Sequence, residues 1–508
     1  MYKMNKKLTP FLFLILLFGI AFYYDYFEIL QKRPQSIHRW RQTDSGSIAL
    51  NYYQNGMHFF KPEVFSQVAD GGHSGYTVSE FPGLYYFIAC LWKIFGYNDM
   101  IYRLTTMLIF FLGLFALFRL LQRLLKDDFW AMAISFVFFT SPVVIYYANS
   151  FITDVPAFSF SLVGWNLLLK FYEQKKQRYF IYSFLFFTLA GLLKVVALIS
   201  PIALSGLYLL GTFYFKKDSA EQSLFRLNFK VITAFVLCFS IVFAWYAFAI
   251  HYNKIHNSIF FSTQTFPIWD LSKDQIASVW KDIKEYWFYE YYNVSVQLFF
   301  LLSFIWSLIY FKKQNKFLIT ITLFLFVGVI LFSLFWYAAF GSHDYYIINP
   351  LILPLFSVIM FADYLNREQM AVFKSTVIKS VFGIFLLFNV NYADNKLNER
   401  YNGWINDYPV YKDVHTVTPY LRSIGIQRTD KVICLPDPTP NYTLYLMNQP
   451  GWTQEYDYNM DSAKLYSMIQ LGAKYLIITE SEPYSRPYLK SYLITKIGEY
   501  GSISIFKL

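Results

Sequence analysis

Eleven apolar blocks, most of them about as long as a bilayer is thick, constrain this chain more than any other feature. They lie at 8–27, 100–122, 128–148, 154–172, 179–194, 196–215, 229–250, 292–311, 316–340, 346–364 and 373–390. A hydrocarbon core of about 30 Å takes about 20 helical residues to cross. A lone segment in lipid can satisfy its own backbone only as a helix. Charged residues make up 15% of the chain and hydrophobic ones 56%, whereas a soluble domain carries about a quarter charged. The sequence therefore predicts an α-helical polytopic membrane protein.

A further apolar stretch, 81–97, is short and opens with Phe81-Pro82-Gly83. If it crosses, Arg119, Arg123 and Lys126 share a side with Asp44. If it lies in the interface as an amphipathic helix, those three become cytoplasmic. So do Lys175, Lys176, Arg178, Lys216, Lys217, Lys312, Lys313, Lys316, Arg367 and Lys374. The bias of Lys and Arg toward cytoplasmic loops selects the interfacial placement. The prediction is about 11 spans in the plasma (inner) membrane, N-terminus cytoplasmic and C-terminus outside. Lys3, Lys6 and Lys7 before an apolar run resemble a signal peptide, but no small-residue cleavage site follows, so a retained first span is expected. The net charge of +11 falls in short clusters between the blocks, which excludes a nucleic-acid partner. Cys90, Cys238 and Cys434 are too scattered for a disulfide framework or a metal knuckle.

Three longer pieces then lie outside. In the loop 28–99, residues 45–57 read as a helix capped by Thr43 or Asp44, with Ile48, Tyr52 and Met57 on one side and Gly56 near its stop. In the loop 251–291, Ser272-Lys273-Asp274-Gln275 is a capping box. Ile276, Trp280, Ile283 and Trp287 follow at helical spacing, as an interfacial helix over 270–289 requires. After a transmembrane domain over 1–390, the more polar tail 391–508 has strand-like runs at 432–435, 474–479 and 502–506 and a helical stretch at 461–472. It reads as a small extracytoplasmic α/β domain without a catalytic motif.

With the topology set by Lys and Arg alone, Asp44, Glu80, Asp154, Lys194, His343 and Asp344 all fall at the outer face, near span ends. Each has a plain explanation by itself. Asp44 and Asp154 suit helix caps, the latter with Pro156 in the first turn; Glu80 suits a surface; Tyr345 and Tyr346 suit an aromatic belt. Lys194, the only charge in 179–215, can snorkel, although a lysine at the bilayer centre costs about 2.5–3.5 kcal/mol. Their convergence on one side argues for a single extracytoplasmic site. No nucleotide-binding, serine-hydrolase or zinc motif is present, and the cytoplasmic loops are short.

These residues together resemble the GT-C class of membrane glycosyltransferases, in the protein-mannosyltransferase and aminoarabinose-transferase branch that uses polyprenyl-phosphate sugars. The similarity rests on Arg41-Gln42-Thr43-Asp44 after the first span, Glu80-Phe81-Pro82 before an amphipathic helix, and Thr153-Asp154 at the third span. It continues in Gly191-Leu192-Leu193-Lys194 and His343-Asp344-Tyr345-Tyr346. Two positions depart: Ser45 follows Asp44 where a second acid is usual, and Phe81 stands where aminoarabinose-type enzymes carry a phosphate-binding lysine.

The resemblance implies a GT-C fold and an inverting transfer from a polyprenyl-phosphate-linked sugar to an extracytoplasmic lipid, glycan or protein. Asp44 would be the base or acceptor-orienting residue, with Asp154 and Glu80 beside it. Lys194, Arg41, His343, Tyr345 and Tyr346 would meet the donor phosphate. No cofactor is certain; Asp44 and Asp154 would be the ligands of a divalent metal if one is used. The interfacial helices would flank the prenyl chain among membrane lipids. The alternative is a transporter or flippase of a lipid or polar solute, which usually carries its ionisable residues near the midplane in related halves.

Overall fold

The computed structural model describes residues 8–213, 226–258, 260–261, 265–403, 411–454 and 460–508. Lys3, Lys6, Lys7, Lys216 and Lys217 of the charge argument lie outside them. Every predicted apolar block is helical over most of its described residues. Among the described residues six helices have the length and hydropathy to cross a membrane: Asp99–Leu125, Val195–Phe213, Phe229–Ile255, Lys316–Phe335, Asp344–Arg367 and Thr376–Asn402. Two bent pairs raise the number to eight, against the eleven crossings expected. One pair joins Asp128–Thr140 to Pro142–Ala148 through an 82° bend, inside a block that hydropathy presents as one run. The cause is local. Pro142 begins the second helix, where its missing N–H is no loss, and the Ser141 hydroxyl accepts the Val144 N–H at 3.3 Å. The other pair, Lys273–Tyr291 and Val294–Ile309, bends by 92° and starts with the predicted capping box at Ser272 and Gln275.

The chain divides into two compact units. The first comprises Met1–Leu30, Arg103–Trp245 and Gln264–Asn398 and holds most of the apolar helices. Within it the Asp154–Gln174 and Gln177–Leu193 helices form a hairpin through Lys175, whose left-handed backbone (φ 56°) closes the first helix. Gly164 permits the approach, since a Cβ there would stand 2.7 Å from the Phe187 ring.

The second unit comprises Gln31–Tyr102, Tyr246–Thr263 and Glu399–Leu508, so the contacts group the first outer loop with the tail. Its sheet has β1 (Lys431–Leu435), β2 (Gly451–Trp452), β3 (Ala473–Ile478), β4 (Lys496–Tyr500) and β5 (Ile503–Lys507) in the order β2-β1-β3-β5-β4. β1 pairs in parallel with β2 and β3, and β5 antiparallel with β3 and β4. The three predicted strands and the helix Ser462–Gln470 are present; Ile433, Leu435, Leu465, Leu476, Ile478 and Phe506 form the core behind them.

The amphipathic helix expected over 81–97 spans Gly83–Phe95, with Leu84, Tyr85, Ile88 and Trp92 buried and Phe87, Ile94 and Phe95 exposed. The helix expected over 45–57 is Arg39–Gln54, six residues earlier at its start. Thr43 and Asp44 are therefore not caps. His38 precedes the first turn with a left-handed backbone (φ 50°) and no capping side chain. The short Tyr442–Met447 helix packs against this one over Gly46, where a Cβ would stand 2.8 Å from the Tyr445 ring.

Candidate active site

The Arg39–Gln54 helix is too polar for a span, yet its second turn is wholly inside the unit: Gln42, Thr43, Asp44 and Ser45 are fully buried. Asp44 Oδ1 accepts a hydrogen bond from Asn441 Nδ2 at 2.9 Å. Asn441 is fixed in turn by the Ser66 backbone N–H, which donates to its Oδ1 at 2.8 Å. Asp44 Oδ2 is buried with no hydrogen-bond partner among the described residues. Buried polar atoms are rarely left so.

Arg41, one turn earlier, forms an ion pair with Glu80 at 2.5 Å. Its guanidinium also lies 3.4 Å from Ser45 Oγ and 5.5 Å from the centre of the Phe261 ring. The structure thus places Asp44, Arg41 and Glu80 near one another, and engages Arg41, expected at the donor phosphate, with the carboxylate of Glu80. Burial pushes the Asp44 carboxyl up to about 7; Arg41 and the Asn441 hydrogen bond oppose the rise, and the negative Glu80 adds to it. A carboxylate balanced near neutrality suits a general base, which works best with a pKa close to the operating pH.

The first unit holds the other residues. Asp154 opens the Asp154–Gln174 helix. Lys194 follows the Gln177–Leu193 helix with an extended backbone (φ −154°, ψ 116°) before a 3-10 turn over Val195–Leu198. That break turns its side chain onto Asp154, with Nζ 3.2 Å from Oδ2, and both groups are buried. The ammonium also stands over the rings of Tyr345 and Tyr346, 5.5 and 5.4 Å from their centres, within the range of a cation–π attraction. The His343 ring lies 5.4 Å from each of them, and its Nδ1 is 2.7 Å from Ser342 Oγ. Tyr147 donates its hydroxyl to Asp344 Oδ1 at 2.6 Å and packs edge-on against Tyr345. Lys194 is therefore a lysine held in place by a carboxylate and two aromatic faces.

Asp44 and Asp154, the suggested metal ligands, belong to different units. Among the described residues no group of three or more His, Cys, Asp or Glu is placed to hold a metal ion. Two contributors escaped the sequence reading. Asn441 lies 397 residues from Asp44 in a tail without a motif, and nothing in the sequence marks it. Tyr147 precedes Asn149-Ser150 in an apolar run, and its only signal is a tyrosine near the same boundary as Asp154.

Residues 79–248 match the family model described as dolichyl-phosphate-mannose-protein mannosyltransferase. That segment contains Glu80, Asp154 and Lys194. No curated protein sequence matches the chain. Among solved structures it is similar to ArnT from Cupriavidus metallidurans bound to undecaprenyl phosphate, with 9% identity, a TM-score of 0.56 and 97% of each chain covered. It is also similar to the archaeal oligosaccharyltransferase AglB from Archaeoglobus fulgidus, in complex with an inhibitory peptide and a dolichol-phosphate. There the identity is 12% and the TM-score 0.55, over 93% of this chain and 70% of that one. The arabinofuranosyltransferase AftD from Mycobacteria aligns at 11% identity and a TM-score of 0.55, over 97% of this chain and 39% of that one. At these identities the likeness is one of fold, and the fold is GT-C: a helical membrane body with a small α/β domain at the C-terminal end. The chain resembles the protein-mannosyltransferase and ArnT-like branch of that class.

Proposed function

We propose that this protein is a membrane glycosyltransferase that moves a sugar from a polyprenyl-phosphate donor to an acceptor hydroxyl or amine outside the membrane, inverting the anomeric carbon. One observation carries the reading: a buried carboxyl, Asp44, with one oxygen held by Asn441 and the other without a hydrogen-bond partner among the described residues, where burial pushes the acid up to about 7. The GT-C fold, the match over 79–248 and the five motifs support it.

In the proposed step the acceptor attacks the anomeric carbon while its proton passes to Asp44 Oδ2. The bond from that carbon to the phosphate oxygen breaks, and polyprenyl phosphate leaves with the electron pair. Lys194 stabilises the charge growing on the leaving phosphate, as fixed cations do for developing anions, with Asp154 and the Tyr345 and Tyr346 rings holding its ammonium. Arg41 and His343 are assigned to the same phosphate. Glu80 keeps Arg41 in place and raises Asp44. The Gly83–Phe95 and Lys273–Tyr291 helices would flank the prenyl chain. This reading keeps the N-terminus cytoplasmic and the second unit outside.

The test uses purified full-length protein, synthetic polyprenyl-phosphate sugars and a cell-envelope glycan extract as acceptor, and follows release of polyprenyl phosphate. Release, with the transferred sugar inverted by NMR, is expected. An intact donor across the whole panel would overturn the transferase. The pH profile has a definite sign. Asp44 acts only when ionised, so kcat should fall as the pH drops through about 7. Removing the negative neighbour in Glu80→Gln favours the ionised form, so the acid limb should move to lower pH. A limb that moves upward or stays where it was would contradict the role given to Glu80.

A further inference from the structure

A cleft of about 440 Å³ in the second unit has Arg33, Tyr97, His415, Thr418, Leu446 and Asn448 among its lining residues. None of these residues has a part in the transfer step. Its volume falls in the range of ligand sites, about 300–1,000 Å³. Its exposed lining is mostly apolar, with a few polar groups among them and one formal charge. Arg33 is paired with Asp99 at 3.1 Å and donates to the carbonyls of His415 at 2.9 Å and Leu446 at 3.0 Å, so its charge is neutralised inside the wall.

His415 Nε2 lies 3.0 Å from the Tyr442 hydroxyl; burial, with Arg33 nearby, pushes its pKa down to about 4, so the imidazole is neutral at physiological pH. Asn448 Oδ1 is buried without a hydrogen-bond partner among the described residues. Tyr97, a residue 39% exposed, adds an aromatic ring to the lining, with Trp92 packed against it at 4.9 Å between ring centres. An uncharged ring that lays an apolar face on the wall and offers a few hydroxyls at its edge matches this lining; an anion does not, because the one cation is already engaged.

The cleft and the base share one short element. Asn441, which holds Asp44, precedes the Tyr442–Met447 helix; Tyr442 meets His415 at its start, and Leu446 and Asn448 meet the cleft at its end. We infer that this cleft is a saccharide subsite that takes a neutral glycan portion of the acceptor. The acceptor role rests on the glycosyltransferase reading; the binding of saccharide does not.

The experiment titrates full-length protein in lipid nanodiscs, without donor, by saturation-transfer NMR. The probes are the methyl glycosides of mannose, glucose and galactose, and mannose 6-phosphate. Two variants accompany the wild type. Asn448→Gly removes the amide at a left-handed position (φ 52°) that glycine adopts without strain. Tyr97→Leu removes the aromatic face. At least one neutral glycoside should bind the wild type, and both variants should bind it about fivefold or more weakly, the loss of one hydrogen bond or one stacking face. Three results would overturn the inference: no neutral glycoside binds, binding is unchanged in both variants, or mannose 6-phosphate binds more tightly than methyl mannoside. Since no donor is present, glycoside binding that survives a failed transfer assay separates this subsite from the transferase reading, and the reverse result does so equally.

Discussion

Asp44→Asn should reduce polyprenyl-phosphate release by about 10²–10⁴-fold, the contribution of a positioned general base, without lowering the melting temperature. The substitution is nearly isosteric. The Asn441 amide keeps an oxygen to donate to, and a charge that burial disfavours is removed from the interior. A merely structural carboxylate would behave differently, with stability and activity falling together. Asn441→Ala provides the complementary measurement. Its hydrogen bond favours the ionised carboxylate, so removing it raises the Asp44 pKa above about 7. Release at pH 7 should then drop and recover as the pH is raised. This is opposite in sign to Glu80→Gln, and no general loss of folding produces opposed shifts from two neighbours of one carboxyl. Release from Asp44→Asn equal to that of wild type would sink the base.

What was legible in the sequence follows from what is energetically conspicuous. A charge beside an apolar run has to be explained because lipid penalises it, so Asp44, Glu80, Asp154, Lys194 and His343 stood out. The structure then brought Arg41 to Glu80 and Lys194 to Asp154. Asn441 did not stand out because an asparagine in a polar tail has no such cost, and its pairing with Asp44 exists only after the second unit has folded. The start of the Arg39–Gln54 helix was placed six residues late for a related reason. Capping rules look for a serine, threonine, aspartate or asparagine, whereas this helix begins after a left-handed histidine whose side chain makes no cap hydrogen bond. Hydropathy likewise counts apolar residues and not bends, so it passed over the 82° turn at Ser141 although Pro142 marks it. In the tail, β4 was missed: it is an edge strand with little burial, and alternation is faint where neither face is covered.

Lys194→Met should have the other large effect, and two causes contribute to it. The leaving phosphate would lose a fixed cation, a loss of about 10²–10³-fold in kcat by analogy with removal of a single oxyanion donor. The carboxylate of Asp154, buried and 3.2 Å from the ammonium, would lose its counter-charge, and breaking a buried pair from one side costs about 3–5 kcal/mol. The two are separable. In the double variant Lys194→Met with Asp154→Asn no charge is stranded, so thermal stability should return most of the way to wild type while release of polyprenyl phosphate stays low. Recovery of both would mean that Lys194 serves Asp154 and not the phosphate. Stability that remains low in the double variant would mean that the Tyr345 and Tyr346 rings need the ammonium more than Asp154 does.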